Sequence, residues 1–447
     1  MGRMNVRHAK AIHFVGIGGI NMSGVAKVLH CAVGSAQWAV QVTGSDVCAN
    51  EQTKILQKKG IQIAIGHAAK NVPRDCDLLV YSSAVPTSNQ EREEARRRGI
   101  REMTNFEFLG EWFADFKMIV VAGTHGKSTT TAMLGLILER AGLDPTVIVG
   151  SVVPSFPDGN LRVGASNLVV IEGDEYAKHF LAFRPHGLIL NNIELDHTDV
   201  FPTIIEMKAA YRELVARVVD GGFIVANKED KNVQDVTSLS PCRVLLFGLG
   251  EDKGKEWTLS VPGRFNQMNA AGAATAAKEL GASEEVITVA LKSFQGIWRR
   301  FEFLGERNGA RWYSDYAHHP TAVAATLEAT RVESRMLLCF QPHHRNRTKQ
   351  LFFDFVASFD LADVLVLSEI YDVEGRDTTQ DADVSSKDLV DAILRHDADR
   401  GVTRLVEYAP NPEAAVRRIT DLAKTGDIVI VMGAGDIDGV GRMAVLQ

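Results

Sequence analysis

Three times along this chain of 447 residues, a short apolar run ends in a glycine-rich or polar turn and leads into a helical pattern. Strand-length runs that alternate with helices pair in parallel, because each helix carries the chain back to the starting edge of the next strand. The first run, Ala11–Val15, ends in Gly16-Ile17-Gly18-Gly19 and enters a helix predicted over 22–29, with further strands at 40–43, 61–65 and Leu78–Tyr81. The second, 118–122, passes through the turn 123–130 into a helix at 132–141, and 168–171, 187–191 and 222–226 extend its sheet. The third takes in 311–314, Met336–Phe340, Val364–Ser368 and Ile428–Met432 and finishes at Gly433-Ala434-Gly435-Asp436. The fold class is therefore α/β in three domains, with boundaries placed to give 1–110, 111–297 and 298–447.

A hydrophobic share of 45% and a charged share of 23% supply apolar side chains for that many cores. The formal net charge of -7 argues against a general binder of phosphate backbones, so no nucleic-acid partner is expected; a local basic pocket for one anionic ligand is still allowed. Cys31, Cys48, Cys76, Cys242 and Cys339 form no C-x-x-C pair and read as reduced thiols. Neither a signal-peptide core nor a run of ~18 apolar residues occurs, which points to the cytoplasm and to no membrane partner. The polar segment 250–256 reads as a surface turn, and both a monomer and a homodimer stay open.

The motif richest in chemistry is Gly123-Thr124-His125-Gly126-Lys127-Ser128-Thr129-Thr130. Glycines let backbone N–H groups converge on phosphate oxygens, and the start of the following helix adds positive potential. Lys127 can reach the terminal phosphates of a nucleotide, and the Ser128 hydroxyl can bind Mg²⁺. Glu172-Gly173-Asp174-Glu175 follows one apolar strand and Asn191-Asn192-Ile193-Glu194-Leu195-Asp196-His197 the next, so acids and a histidine fall in the crevice where α/β sheets bind ligands, as metal donors or as helix caps. The turn at Gly16, Gly18 and Gly19 is weaker alone; Asp46, after a second strand, is where an acid meets a ribose hydroxyl. Asp315-Tyr316-Ala317-His318-His319-Pro320 and Gln341-Pro342-His343-His344-Arg345-Asn346-Arg347 gather cations and hydrogen-bonding groups at two further strand ends. Arg299 and Arg300 stand at the hinge, as solvated charges or as a clamp on a γ-phosphate.

Taken in order, with Gly263-Arg264-Phe265-Asn266-Gln267-Met268-Asn269 and Arg299-Arg300-Phe301-Glu302 among them, these motifs resemble the Mur ligase family over essentially the whole chain. The resemblance implies a Rossmann-like N-terminal domain for a UDP-sugar, a central P-loop ATPase-type α/β domain and a Rossmann-like α/β C-terminal domain for the amino acid. It implies ATP and Mg²⁺, with an acyl phosphate formed and then attacked by an amine. By motif, Gly123, Thr124, His125, Gly126, Lys127, Ser128, Thr129, Asn266, Asn269, Arg300 and Asp315 serve ATP. Ser128, Glu172 and His197 serve the metal, and Lys127, Glu172, His197, Arg300 and His318 serve catalysis. Gly16, Gly18, Gly19, Asp46, Ser82 and Ser83 serve the UDP-sugar, and His343 and Arg345 the amino acid. The implied substrates are UDP-N-acetylmuramate and L-alanine. Glu172 to Tyr176, Leu190 to Pro202 and His344 keep a ready-made murein tripeptide open as the amine. A non-catalytic nucleotide switch leaves the third domain's Asp315, His318 and Arg345 unexplained, and an NAD-dependent oxidoreductase leaves Lys127 unexplained.

Overall fold

The computed structural model describes residues 5–34, 40–198, 200–249, 257–331, 334–372 and 383–446; the segment 250–256, read above as a surface turn, lies outside them. Three sheets follow in chain order. The first holds β1 (Ala11–Val15), β2 (Gln41–Asp46), β3 (Gln62–Ile65), β4 (Leu78–Tyr81) and β5 (Arg101–Thr104), all parallel in the order β3-β2-β1-β4-β5. The chain leaves β1 toward β2 and later returns to its other side at β4. That reversal opens a crevice at the carboxyl ends of β1 and β4.

The second sheet holds β6 (Lys117–Ala122), β7 (Thr146–Ile148), β8 (Leu161–Arg162), β9 (Leu168–Glu172), β10 (Gly187–Leu190), β11 (Phe223–Asn227) and β12 (Arg243–Phe247), in the order β12-β11-β10-β6-β9-β7-β8. Its pairs are parallel except β7 with β8. β6 lies between β9 and β10 and is buried from Met118 to Ala122, as a central strand covered on both faces must be. The third sheet holds β13 (Glu302–Arg307), β14 (Ala310–Asp315), β15 (Met336–Phe340), β16 (Val364–Ser368), β17 (Leu405–Ala409) and β18 (Ile428–Met432), in the order β13-β14-β18-β15-β16-β17, with only β13 antiparallel. Alternate residues of its strands feed two cores, one around Leu338, Phe340, Leu365 and Ile430 and the other around Leu337, Cys339, Val366 and Val429.

By contact the chain divides into two compact units: Met1–Ile193 with Met207–Thr258 and Met268–Ser293, and Glu194–Glu206 with Leu259–Gln267 and Phe294–Gln447. The first contains the first two sheets, the second the third sheet. Cys48, Cys76, Cys242 and Cys339 are free thiols, and no helix among the described residues is long and apolar enough to cross a membrane. The predicted strands are present with ends shifted by at most three residues, whereas β5, β7, β8, β12, β13 and β17 lie outside the predicted set, although the apolar run 244–247 in β12 was an available signal. β5 reads Arg-Glu-Met-Thr and β12 is half exposed, as befits strands at a sheet edge.

Candidate active site

In the first unit, β6 ends at Ala122 and the chain turns through Gly123 and Gly126, both at positive φ, into the helix Lys127–Arg140. A side chain on Gly126 would also strike Asn269 Oδ1, so the turn admits only glycine there. The helix starts five residues before the predicted 132, because the turn residues Lys127 to Thr131 themselves form its first coils. Its opening N–H groups have no acceptor within the helix and point at the mouth of the turn.

The Lys127 ammonium sits inside the turn, donating to Gly123 O at 2.7 Å, Thr124 O at 3.3 Å and both Glu175 oxygens at 3.0 and 2.8 Å. Burial alone would lower its pKa, but the Glu175 carboxylate outweighs burial and holds it above the ordinary lysine value. Ser128 Oγ donates to Glu172 Oε2 at 3.0 Å, and Glu172 Oε1 accepts from Gly150 N at 2.5 Å. A hydroxyl and a carboxylate side by side are hard oxygen donors of the kind Mg²⁺ takes. Thr124 N and His125 N, assigned to ATP by sequence, donate instead to Asn192 O at 3.1 Å and Asn192 Oδ1 at 2.7 Å. Asn191 Nδ2 donates to Thr130 Oγ1 at 3.0 Å, and Thr129 is buried. Asn192 and Glu175, which the sequence places in the crevice within motifs of metal donors or helix caps, are structural partners of the turn, at the ends of β10 and β9 beside β6. A cavity of about 200 Å³ borders Lys127, Glu172 and Asp174, with Asn21, Asn105 and Phe106 on its wall; neither asparagine was singled out from sequence.

The residues assigned to the nucleotide sugar by sequence gather at the ends of β1, β2 and β4. Gly16 N and Ile17 N donate to Ser45 O at 2.9 and 3.0 Å, and Gly18 N donates to Asp46 Oδ2 at 2.7 Å. A Cβ on Gly18 would lie 2.5 Å from Asn50 Nδ2 and 2.8 Å from that carboxylate, so any larger residue would displace the side chains that the glycine lets approach. Ser82 closes the crevice from β4, its N–H on Val15 O at 3.0 Å, while Gly19 and Ser83 are exposed beside it.

In the second unit the ends of β14, β15 and β18 bring Asp315, Gln341 and Gly433 together. Asp315 is buried and accepts from Phe301 N at 2.8 Å and Ala317 N at 2.7 Å; burial pushes its pKa up. The segment before β13 is contorted, with Arg299 and Phe301 at positive φ. The Arg299 guanidinium turns inward to Gly433 O and Gly435 O, whereas Arg300 lies with its Cζ 5.1 Å from the Tyr316 ring centre. His318 Nδ1 lies 2.9 Å from Tyr316 O, and burial, followed by the Arg347 charge, drives its pKa well below the usual histidine value. His343 stacks on Tyr371. Arg347 donates to His343 O at 3.2 Å and grips Asp196 Oδ1 through Nε and Nη2 at 2.8 and 2.7 Å. Burial would raise the Asp196 pKa, but the Arg347 charge holds it well below the carboxylate range. Arg345, the arginine assigned to the amino acid by sequence, instead pairs with Asp372 at 3.0 Å and with Val384 O at 2.6 Å. His197 belongs to the segment Glu194–Glu206 of this unit, at positive φ, while Ser128 and Glu172 belong to the other. Asn266 donates to Pro262 O at 2.6 Å, and Asn269, on the same helix but within the first unit, accepts from Thr130 Oγ1 at 3.2 Å.

A lysine enclosed in a glycine turn, with a hydroxyl–carboxylate pair beside it on a parallel sheet, defines an α/β protein of the phosphate-loop kind. Comparison narrows the class. The Mur ligase family catalytic domain matches residues 11–117, the Mur ligase middle domain 121–259 and the Mur ligase glutamate ligase domain 299–435. The UDP-N-acetylmuramate–L-alanine ligase of Agathobacter rectalis is 37% identical over 459 residues, covering 96% of both chains, and that of Acetivibrio thermocellus is 36% identical over 464, covering 97% of this chain and 95% of the relative. Among solved structures, the UDP-N-acetylmuramate–alanine ligase of Thermotoga maritima matches with TM-score 0.78 at 26% identity over 98% of this chain and 99% of that one. A murein peptide ligase from Psychrobacter arcticus shares the fold, with TM-score 0.68 at 24% identity over 98% of both chains. The chain belongs to the Mur ligase family.

Proposed function

We propose that this protein joins the lactyl carboxylate of UDP-N-acetylmuramate to L-alanine at the expense of ATP, in the synthesis of peptidoglycan precursors in the cytoplasm. The observation that carries the reading is the Lys127 ammonium, held within the turn and bordering a cavity that Asn21 and Asn105 also line. Triphosphate entering the turn meets the opening amides of the helix Lys127–Arg140 and takes Lys127 from Glu175. The sugar's carboxylate occupies the neighbouring cavity, where the asparagine amides orient it by hydrogen bonds. With both ends fixed, its attack on the γ-phosphate becomes effectively unimolecular. Charge spreading over the transferring group is met by Lys127 and by Arg300. Ser128 and Glu172 would hold Mg²⁺, and His197 is assigned to the metal by its motif; the ion would supply neutralisation of phosphate charge. ADP leaves, and the amine of alanine attacks the acyl phosphate to release phosphate and form the amide.

The remaining assignments follow the same reading. Residues 1–110 take the UDP-sugar through Gly16, Gly18, Gly19, Asp46, Ser82 and Ser83; 111–297 take ATP, with Asn266, Asn269 and Asp315 on the nucleotide; 298–447 take the amino acid through His343 and Arg345, with His318 serving catalysis. The curated relatives that match nearly the full chain carry the L-alanine name, and the reading adopts that amine. The test is phosphate release from ATP with UDP-N-acetylmuramate, offered L-alanine, glycine, L-serine or the murein tripeptide. L-Alanine is expected to give the highest kcat/KM. Preference for the tripeptide would reassign the amine, and no release with any amine would end the ligase reading.

A further inference from the structure

Beneath the crevice of the first sheet lies a buried ionic hub that the mechanism above does not use. Glu91, fully buried at the start of the helix Gln90–Arg97, takes four hydrogen bonds from three stretches of chain. Its Oε2 accepts from Ser45 Oγ at 2.6 Å and faces His13 Nε2 at 3.0 Å; its Oε1 accepts from Ala68 N at 3.1 Å and Asn71 Nδ2 at 2.7 Å. His13 is itself buried, its Nδ1 on Thr43 Oγ1 at 2.8 Å, and His67 Nδ1 lies 3.0 Å from Ser45 Oγ. An ion is a costly way to fill a core where an apolar side chain of equal volume would pack, unless its acceptors are needed.

Two chains of contacts run from this carboxylate to the crevice. Through Ser45, whose hydroxyl it fixes, Glu91 reaches Gly16 N and Ile17 N, both of which donate to Ser45 O. Through Ala68 and Asn71 it holds the loop after β3, in which Asn71 Nδ2 donates to Gly66 O at 2.9 Å and Gly66 N donates to Asp46 O at 2.8 Å. The first route ends on the glycine turn and the second on the backbone of Asp46, whose carboxylate Gly18 N engages.

We propose that Glu91 is a positioning residue for nucleotide-sugar recognition, setting the turn Gly16–Gly19 and the Asp46 carboxylate in the geometry that receives the UDP moiety. This rests on the reading of the N-terminal domain as the nucleotide-sugar site. Glutamine at 91 keeps the shape but not the charge: with its oxygen on Ala68 N and Asn71 Nδ2, its NH₂ faces Ser45 Oγ and His13 Nε2, which must turn from donors to acceptors, so the Ser45 hydroxyl is no longer held by a charged acceptor.

The experiment is steady-state kinetics of Glu91→Gln with each substrate varied in turn. The KM for UDP-N-acetylmuramate is expected to rise about tenfold, with kcat and the KM for ATP within about twofold of the parent. Equal rises in both KM values, or no change in a folded variant, would overturn the proposal, since a residue that only stabilises the domain has no reason to separate the two substrates. Should Glu91→Gln fail to fold, Ser45→Ala removes one hydroxyl and leaves Ser45 O in place; a rise of about threefold in the same KM alone supports the proposal, and an unchanged KM overturns it. Asp46→Ala separates the two readings. If it raises this KM while Glu91→Gln is silent, Glu91 alone has been misjudged; if it is silent too, the assignment of the domain falls and the inference with it.

Discussion

The turn after β1 and the turn after β6 share a plan: a parallel strand, glycines that let the backbone close in, and a helix whose first amides face the mouth. What stands at the mouth differs. After β1 the ionic group at the mouth is the Asp46 carboxylate on Gly18 N, and Gly16 N and Ile17 N rest on Ser45 O. After β6 it is the Lys127 ammonium, wrapped by two turn carbonyls and Glu175. An acid at a strand end accepts hydrogen bonds and repels phosphate, which suits hydroxyls; an ammonium attracts phosphate and has a counter-ion to relinquish when phosphate arrives. Under the proposed function, one backbone motif would serve two ligand chemistries, with the side chain at the mouth setting which.

That comparison breaks most sharply at Lys127. Lys127→Ala is expected to lower kcat on the order of 10³-fold with circular dichroism unchanged, and near-normal turnover in a folded variant would remove the lysine's role. The two sites should also part in their response to pH. Burial would raise the Glu91 pKa, but hydrogen bonds from His13, Ser45 and Asn71 outweigh it and bring it from 4.5 to about 2. A depressed carboxyl pKa contributes stability above the ordinary value and loses it as pH falls, so about 3 kcal/mol should disappear between pH 4.5 and 2. The Lys127 pair acts in the opposite sense, its contribution complete below the ordinary lysine value and lost as pH rises beyond it. Urea unfolding across the acid range checks the first of these, and Glu91→Gln should flatten the slope. Asn192→Ala, which strips the prop from His125 N, is expected to cost about tenfold in kcat/KM for ATP and nothing in the KM for the UDP-sugar. Asp46→Asn, which can still accept from Gly18 N, should show the smallest effect: a rise of about fivefold in the KM for the UDP-sugar, measured against an unchanged KM for ATP.

Much of the site was legible because strand ends announce themselves. Lys127, Ser128 and Glu172 follow buried strands, and the order of the second sheet places them side by side. Asp46, Gly18 and Ser82 meet for the same reason around β1. Arg345 and Arg347 show where such reading stops. Both follow β15, two residues apart on a short helix, and nothing in their spacing says that one faces Asp372 while the other faces Asp196 and His343. Likewise Thr124 and His125 belong to the phosphate motif, yet their amides are engaged by Asn192.

The sequence alone determined the α/β class, the parallel pairing and the location of the phosphate turn, since these depend on local periodicity and on glycines whose conformations other residues resist. Only the tertiary structure decided which carboxylate neutralises Lys127, which asparagine supports the turn and why a glutamate lies buried under the first crevice. Those pairings join residues far apart in the chain, and hydrogen-bond geometry in a packed interior selects among chemically equal candidates that a linear pattern cannot rank.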